Sequence, residues 1–165
     1  MKPEERLVSL LAGRGMKIAA AESCTGGMIS QMITSVSGAS AVFECGICSY
    51  SNAVKMKVLG VPEETIALHT ELSLQTAEAM ALGAAALSGA DIGVSTTGVA
   101  GPTGGTAENP VGTVYIAVTC RGRTFSEKKN FNEDKTADRD TIRRRCSEYV
   151  LQKAAEIAES YYSDN

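Results

Sequence analysis

The sequence predicts an α/β fold, a three-layer α/β/α sandwich around a mixed, mostly parallel sheet. Three observations carry that prediction. Short apolar runs alternate with longer stretches of helical spacing. One of the runs, Ile18-Ala19-Ala20-Ala21, is apolar throughout, as expected of a strand covered on both faces. Late in the chain, two strand-like segments meet at Arg121-Gly122-Arg123, which reads as a hairpin and supplies the antiparallel member of the sheet. At 165 residues, 44% of them hydrophobic, the chain can fill one core, and a single domain over 1–165 is expected.

In order, a helix is expected over residues 3–13, where Leu7, Val8, Leu10 and Leu11 form an apolar stripe and Gly13 or Gly15 ends it. A strand follows over 16–22, then a helix from Thr25 to Val36 that stops at Ser37-Gly38-Ala39. Residues 41–50 form the second strand. Asn52 as N-cap and Gly60 as stop bound a two-turn helix, and Pro62-Glu63-Glu64 opens another short turn. The alanine-rich segment from Ser73 to Leu87 is a longer helix packed closely on the sheet. A strand over 91–97 leads into the loop Gly98 to Thr106, hairpin strands cover 111–120 and 124–131, and a helix from Lys135 to Tyr161 closes the chain.

Composition narrows the function classes. A formal net charge of −3 excludes a nucleic-acid binder that works by bulk charge, although Arg121 to Lys129 and Arg139 to Arg145 leave room for a local anion site. No apolar run is long enough to cross a bilayer, and nothing at the N-terminus reads as a signal peptide. The five cysteines, an odd number, fit a reduced cytoplasmic protein better than a disulfide scaffold. Cys45-Gly46-Ile47-Cys48 spaces two thiols as a metal site would. With no second pair and only one histidine, His69, the better reading is two small buried hydrophobes in a strand, and no metal or other cofactor is expected.

The stretch with chemical content is Ala21-Glu22-Ser23-Cys24-Thr25-Gly26-Gly27, where a strand ends and a helix begins. Backbone N–H groups at a helix start favour an anion or a developing oxyanion. Ser23 and Cys24 are both candidate nucleophiles there. The alternative is that Ser23 or Thr25 simply caps the helix. A cysteine enzyme needs a histidine base, and nothing places His69 nearby; a serine nucleophile can use a lysine. Lys55, in the first turn of a helix after a strand end, is the candidate base, its pKa lowered by the helix pole and by burial against Tyr50 and Val54. A solvated surface lysine like Lys57 is the alternative. The glycine-rich loop from Gly98 to Gly105 is neither a Walker loop nor a dinucleotide fingerprint, but it lets backbone approach a ligand. Arg139 and Arg143, four apart on one helix face, suit a phosphate or carboxylate, unless they pair with Asp138, Asp140 or Glu148.

Taken together, these segments resemble the C-terminal domain family of the competence/damage-inducible protein CinA. The matching residues are Ala21 through Gly27, Tyr50-Ser51-Asn52 with Lys55, Gly98 with Ala100-Gly101-Pro102 and Gly104-Gly105, Pro110 through Val114, and Asp138-Arg139-Asp140 with Ile142-Arg143. The resemblance implies an α/β/α domain and, in active members, hydrolysis of the carboxamide of nicotinamide mononucleotide by a serine–lysine pair. On matching positions, Ser23 is the implied nucleophile, Lys55 its base and Tyr50 the support of the lysine. Thr25, Gly26 and Gly27 line the implied site, and Gly101, Gly104, Gly105, Arg139 and Arg143 hold the nucleotide. The helix start is then expected to serve as the oxyanion hole, with the phosphate toward Arg143. Asn109, where relatives often carry lysine, departs from the family pattern, and so does the segment Thr70-Glu71-Leu72-Ser73-Leu74, although it keeps Ser73. The resemblance covers only the smaller of two domains in full-length CinA proteins, so the sequence is that of a standalone enzyme or of a fragment. The expected partner is a small-molecule nucleotide, with neither nucleic acid nor membrane, and family and apolar content point to a homodimer. A silent nucleotide-binding module of the same fold is the alternative function.

Overall fold

The structure, a computed structural model, describes residues 1–163. Its elements in chain order are α1 (Pro3–Arg14), β1 (Ile18–Glu22), α2 (Met28–Thr34), β2 (Phe43–Cys48), α3 (Asn52–Leu59), α4 (Glu63–His69), α5 (Leu74–Ser88), β3 (Ile92–Gly98), β4 (Thr113–Cys120), β5 (Arg123–Asn130) and α6 (Arg139–Ser163). The five strands form one sheet in the order β2-β1-β3-β4-β5. β1 pairs parallel with both β2 and β3, whereas β4 is antiparallel to β3 and to β5. Four strands therefore run one way and β4 the other, which is the mixed, mostly parallel sheet expected.

Alternation along β1 explains the layers. Ile18 and Ala20 point into a core shared with Leu7 and Leu11 of α1, Ile29 and Ile33 of α2, and Ile142, Cys146 and Val150 of α6. Ala19 and Ala21 point the other way, against Leu59 of α3 and Met80 and Ala84 of α5. Small side chains are needed on that second face because α5 lies almost on the sheet. A Cβ at Gly93 of β3 would meet the Ala81 carbonyl oxygen at 2.1 Å, and one at Gly83 of α5 would meet the Leu59 carbonyl oxygen at 2.0 Å.

Element boundaries shift from expectation for local reasons. α2 begins at Met28 rather than Thr25, because Gly26 (φ 57°) and Gly27 (φ 94°) take left-handed conformations that continue the turn after β1. Ser51, not Asn52, caps α3, its side chain accepting from the Val54 amide. α6 starts at Arg139 rather than Lys135: Lys135 has φ 56°, which no right-handed helix tolerates, and Asp138 caps the helix by accepting from the Thr141 amide at 2.8 Å. β2 sits at the sheet edge, so its residues alternate between half-buried and exposed. Cys45 and Cys48 are accordingly not the two buried hydrophobes expected. Cys45 packs toward α5, Cys48 is exposed on the opposite face beside Gly27, and neither is bonded to another cysteine. Among the described residues no group of three or more His, Cys, Asp or Glu side chains could hold a metal ion, and no helix is long and apolar enough to cross a membrane.

Candidate active site

Parallel strands β1, β2 and β3 end on the same side of the sheet, and the chain leaves β1 for one neighbour and returns on the other. Open α/β sheets bind ligands at such a switch point, outside the carboxyl ends of the strands. Ser23 follows the last residue of β1, Ser49 and Tyr50 follow β2, and Thr97 and Gly98 end β3. A cleft of about 310 Å³ opens there, lined by Ser23, Cys24, Tyr50, Lys55, Glu71, Leu72, the segment from Thr97 to Gly101, Thr103, Gly104 and Arg139.

Ser23 is held from behind, its amide donating to the Thr96 carbonyl at 3.0 Å, so its hydroxyl faces the cleft from a fixed backbone. Lys55 reaches it from α3, in the opposite helical layer. The lysine is 1% exposed, with its Nζ 3.2 Å from Ser23 Oγ and donating to the Ser49 carbonyl at 3.0 Å. Burial pushes the Lys55 pKa below its ordinary value, while the carboxylate of Glu71 pulls it partly back. Among the described residues, no carboxylate lies within 4 Å of this amine. A lysine in these surroundings loses its proton more readily than one in water.

The turn itself is built differently from expectation. Glu22, fully buried at the end of β1, reaches forward to α2. Its carboxylate accepts from the amides of Gly27 (3.0 Å), Ile29 (3.0 Å) and Ser30 (2.9 Å) and from the Ser30 hydroxyl (2.7 Å). The helix start therefore already holds an anion, which removes it as the oxyanion hole. The Gly26 amide donates to the Ser23 carbonyl and the Met28 amide to that of Thr25, which leaves the amides of Cys24 and Thr25 as those taken neither by Glu22 nor by the turn's carbonyls. Cys24 is 6% exposed and packed in the core, and burial raises its thiol to about 12. A thiol so reluctant to ionise is a poor nucleophile.

Several expected site residues stand elsewhere. Tyr50 does not bury Lys55. It is 65% exposed, and its hydroxyl accepts from Arg139 Nη2 at 3.0 Å. Val54 is exposed as well, because α3 turns only Lys55 and Leu59 inward. Arg139 also donates to the Gly101 carbonyl at 2.7 Å, so it ties the glycine loop to the cleft mouth. Arg143, one helical turn on, points away from the cleft; its guanidinium donates to the Thr25 carbonyl at 2.7 Å and lies against Gly26. Gly26 and Gly27 share that outer side, and the Thr25 side chain is buried against Thr96, with 2.7 Å between the hydroxyl oxygens. Gly101 and Gly104 line the cleft, but Gly105 packs on Val111 instead, where a Cβ would meet its amide nitrogen at 2.9 Å. His69 is exposed at the end of α4. Sequence reasoning missed the anchoring role of Glu22 and the parts of Ser49 and Glu71. Glu22 carried a signal, since an acid closing an otherwise apolar buried strand must find donors. A backbone carbonyl such as that of Ser49 carries none.

The CinA C-terminal domain family profile matches residues 1–158. The chain belongs to that family. Solved relatives share the fold: a CinA superfamily protein of Klebsiella pneumoniae superposes with a TM-score of 0.89 at 30% identity, covering 96% of each chain. The competence/damage inducible protein CihA of Agrobacterium tumefaciens reaches 0.89 at 35% identity, covering 94% of this chain and 93% of that one. Among curated relatives, a CinA-like protein of Anaeromyxobacter is 46% identical over 89% of this chain. The chain spans about a third of the length of the CinA-like proteins it matches, 35% in that case. It is also 42% identical to the Escherichia coli protein named nicotinamide-nucleotide amidohydrolase PncC, over 92% of this chain and 90% of that protein.

Proposed function

We propose that this domain hydrolyses the carboxamide of nicotinamide mononucleotide to nicotinate mononucleotide and ammonia, with Ser23 as nucleophile and Lys55 as its base, a step of pyridine-nucleotide salvage. The observation that carries the reading is the buried Lys55 amine 3.2 Å from Ser23 Oγ, without a carboxylate partner. The amidohydrolase of Escherichia coli, similar along nearly its whole length, supports the substrate.

The chemistry follows from the groups present. Neutral Lys55 accepts the Ser23 hydroxyl proton as Oγ attacks the carboxamide carbon. The carbonyl oxygen becomes an oxyanion, which the amides of Cys24 and Thr25, taken neither by Glu22 nor by the turn's carbonyls, stabilise. Lys55, now an ammonium held by the Ser49 carbonyl, returns its proton to the departing nitrogen, and ammonia leaves an acyl-serine. Water, activated by the same lysine, then attacks the ester; nicotinate mononucleotide is released and Ser23 recovers its proton. The mononucleotide phosphate lies toward Arg139, whose charge is met only by two neutral oxygens, and toward the loop carrying Gly101 and Gly104.

Ammonia release from nicotinamide mononucleotide tests this. Ser23→Ala and Lys55→Ala are each expected to lower kcat by about a thousandfold or more, whereas Cys24→Ala keeps kcat within about threefold. Undiminished release by folded Ser23→Ala overturns the mechanism, and no release by folded wild type overturns the substrate.

A further inference from the structure

The cleft carries both charges. Glu71 lines it just before α5, and Arg139 lines it at the first residue of α6. Among the described residues, neither has an oppositely charged partner within 4 Å. The Glu71 backbone is pinned to the end of β3, its carbonyl accepting from Thr97 Oγ1 at 2.8 Å. Among the described residues its carboxylate accepts only a long 3.5 Å bond from Asn52 Nδ2, which leaves most of its acceptor capacity open at the cleft it lines. A half-buried carboxylate and a guanidinium without an ion-pair partner in one cleft favour a ligand that itself carries both charges.

We infer that Glu71 is a specificity residue that selects substrates whose carboxamide is borne on a cationic ring, by placing its carboxylate beside the pyridinium while Arg139 takes the distal anion. The inference rests on the amidase reading above. In a quaternary pyridinium nucleotide the positive ring nitrogen lies two ring bonds from the carbon that bears the carboxamide. A substrate seated for attack by Ser23 thus brings that charge into the part of the cleft that Glu71 shares with Ser23 and Lys55. Against a neutral ring the carboxylate gains no charge partner, and its loss of hydration on ligand binding goes uncompensated.

The test compares nicotinamide mononucleotide with its 1,4-dihydro form, which has the same carboxamide, ribose and phosphate but a neutral ring. The two amides differ in intrinsic reactivity, so the readout is how the ratio of their kcat/KM values changes between wild type and Glu71→Gln, with Glu71→Ala as a second variant. A unit charge facing another across a partly solvated cleft is worth about tenfold, so the ratio should fall by about that factor in either variant, almost all of it from the cationic substrate. Glu71→Asp should restore part of the preference. An unchanged ratio overturns the inference, and so does an equal loss on both substrates, which marks a structural role or an effect on Lys55 alone. Wild type that releases ammonia from neither compound overturns the amidase reading itself, a distinct outcome.

Discussion

Replacing Glu22 with glutamine keeps the shape of the side chain and removes its charge, so it measures what the buried carboxylate does for the turn. The carboxylate accepts two donors on each oxygen: the Gly27 and Ile29 amides on Oε2, and the Ser30 amide and hydroxyl on Oε1. A glutamine can keep only one of these oxygens. Its best arrangement leaves the carbonyl facing Gly27 and Ile29 and turns the NH2 toward Ser30. The Ser30 hydroxyl can rotate to accept, but the Ser30 amide then faces another donor. One buried amide left unpaired costs about 2 kcal/mol, and two bonds that lose charge assistance lose about 0.5–1 kcal/mol each, so the total is about 3–4 kcal/mol. For a domain of this size, that lowers Tm by about 10 °C. Thermal unfolding followed by circular dichroism reads it directly. Because the same bonds fix the backbone that carries Ser23, kcat should fall about tenfold or more at temperatures where the variant is still folded. A Tm within about 2 °C of wild type would refute the reasoning, since a loss so small is what an exposed surface residue shows.

Two further outcomes follow from the cleft. An amine is a base only when neutral, so on the proposed mechanism kcat/KM should rise with pH through the Lys55 pKa, and that limb should lie below the ordinary lysine range; Glu71→Gln, which removes the charge that favours the ammonium, should move the limb to lower pH. A limb in the usual lysine range, or one that moves upward, would contradict the burial argument. Arg139→Gln should raise KM for the mononucleotide by about tenfold with kcat little changed, whereas Arg143→Gln should leave KM alone and lower stability by about 1–2 kcal/mol through the lost bond to the Thr25 carbonyl, and steady-state kinetics with urea unfolding separate the two.

The layered sheet, the hairpin and the closing helix were legible because hydrophobic period survives in sequence: β1 is apolar throughout, and α6 places Ile142, Cys146 and Val150 on one face. Ser23 and Lys55 were legible for chemical reasons, as a strand-end serine and a lysine in the first turn of a helix. Their distance was not, because it depends on how α3 docks across the end of the sheet. The arginines show the same limit more sharply. Arg139 and Arg143 share a helix face by spacing, yet the rise between them carries one to the cleft mouth and the other to the outside of the turn. The oxyanion expectation failed for a different reason. A helix start offers its amides to whichever anion is nearest, and here Glu22 lies five residues before the first amide it takes. Tyr50 was misplaced because its position after an edge strand leaves it nothing to bury against.

Ser23 follows a strand whose chain runs on into the α1–α2–α6 side of the sheet, while Lys55 belongs to the α3–α4–α5 side. The two side chains meet only at the rim, where the sheet stops separating them. Any chemistry that needs both is thus a report on docking of the two helical layers. A partly unfolded molecule that keeps its strands and helices but lets one layer slide is silent. On the proposed mechanism, turnover is a coincidence detector for the finished fold, and it should fade before circular dichroism registers any loss of helix.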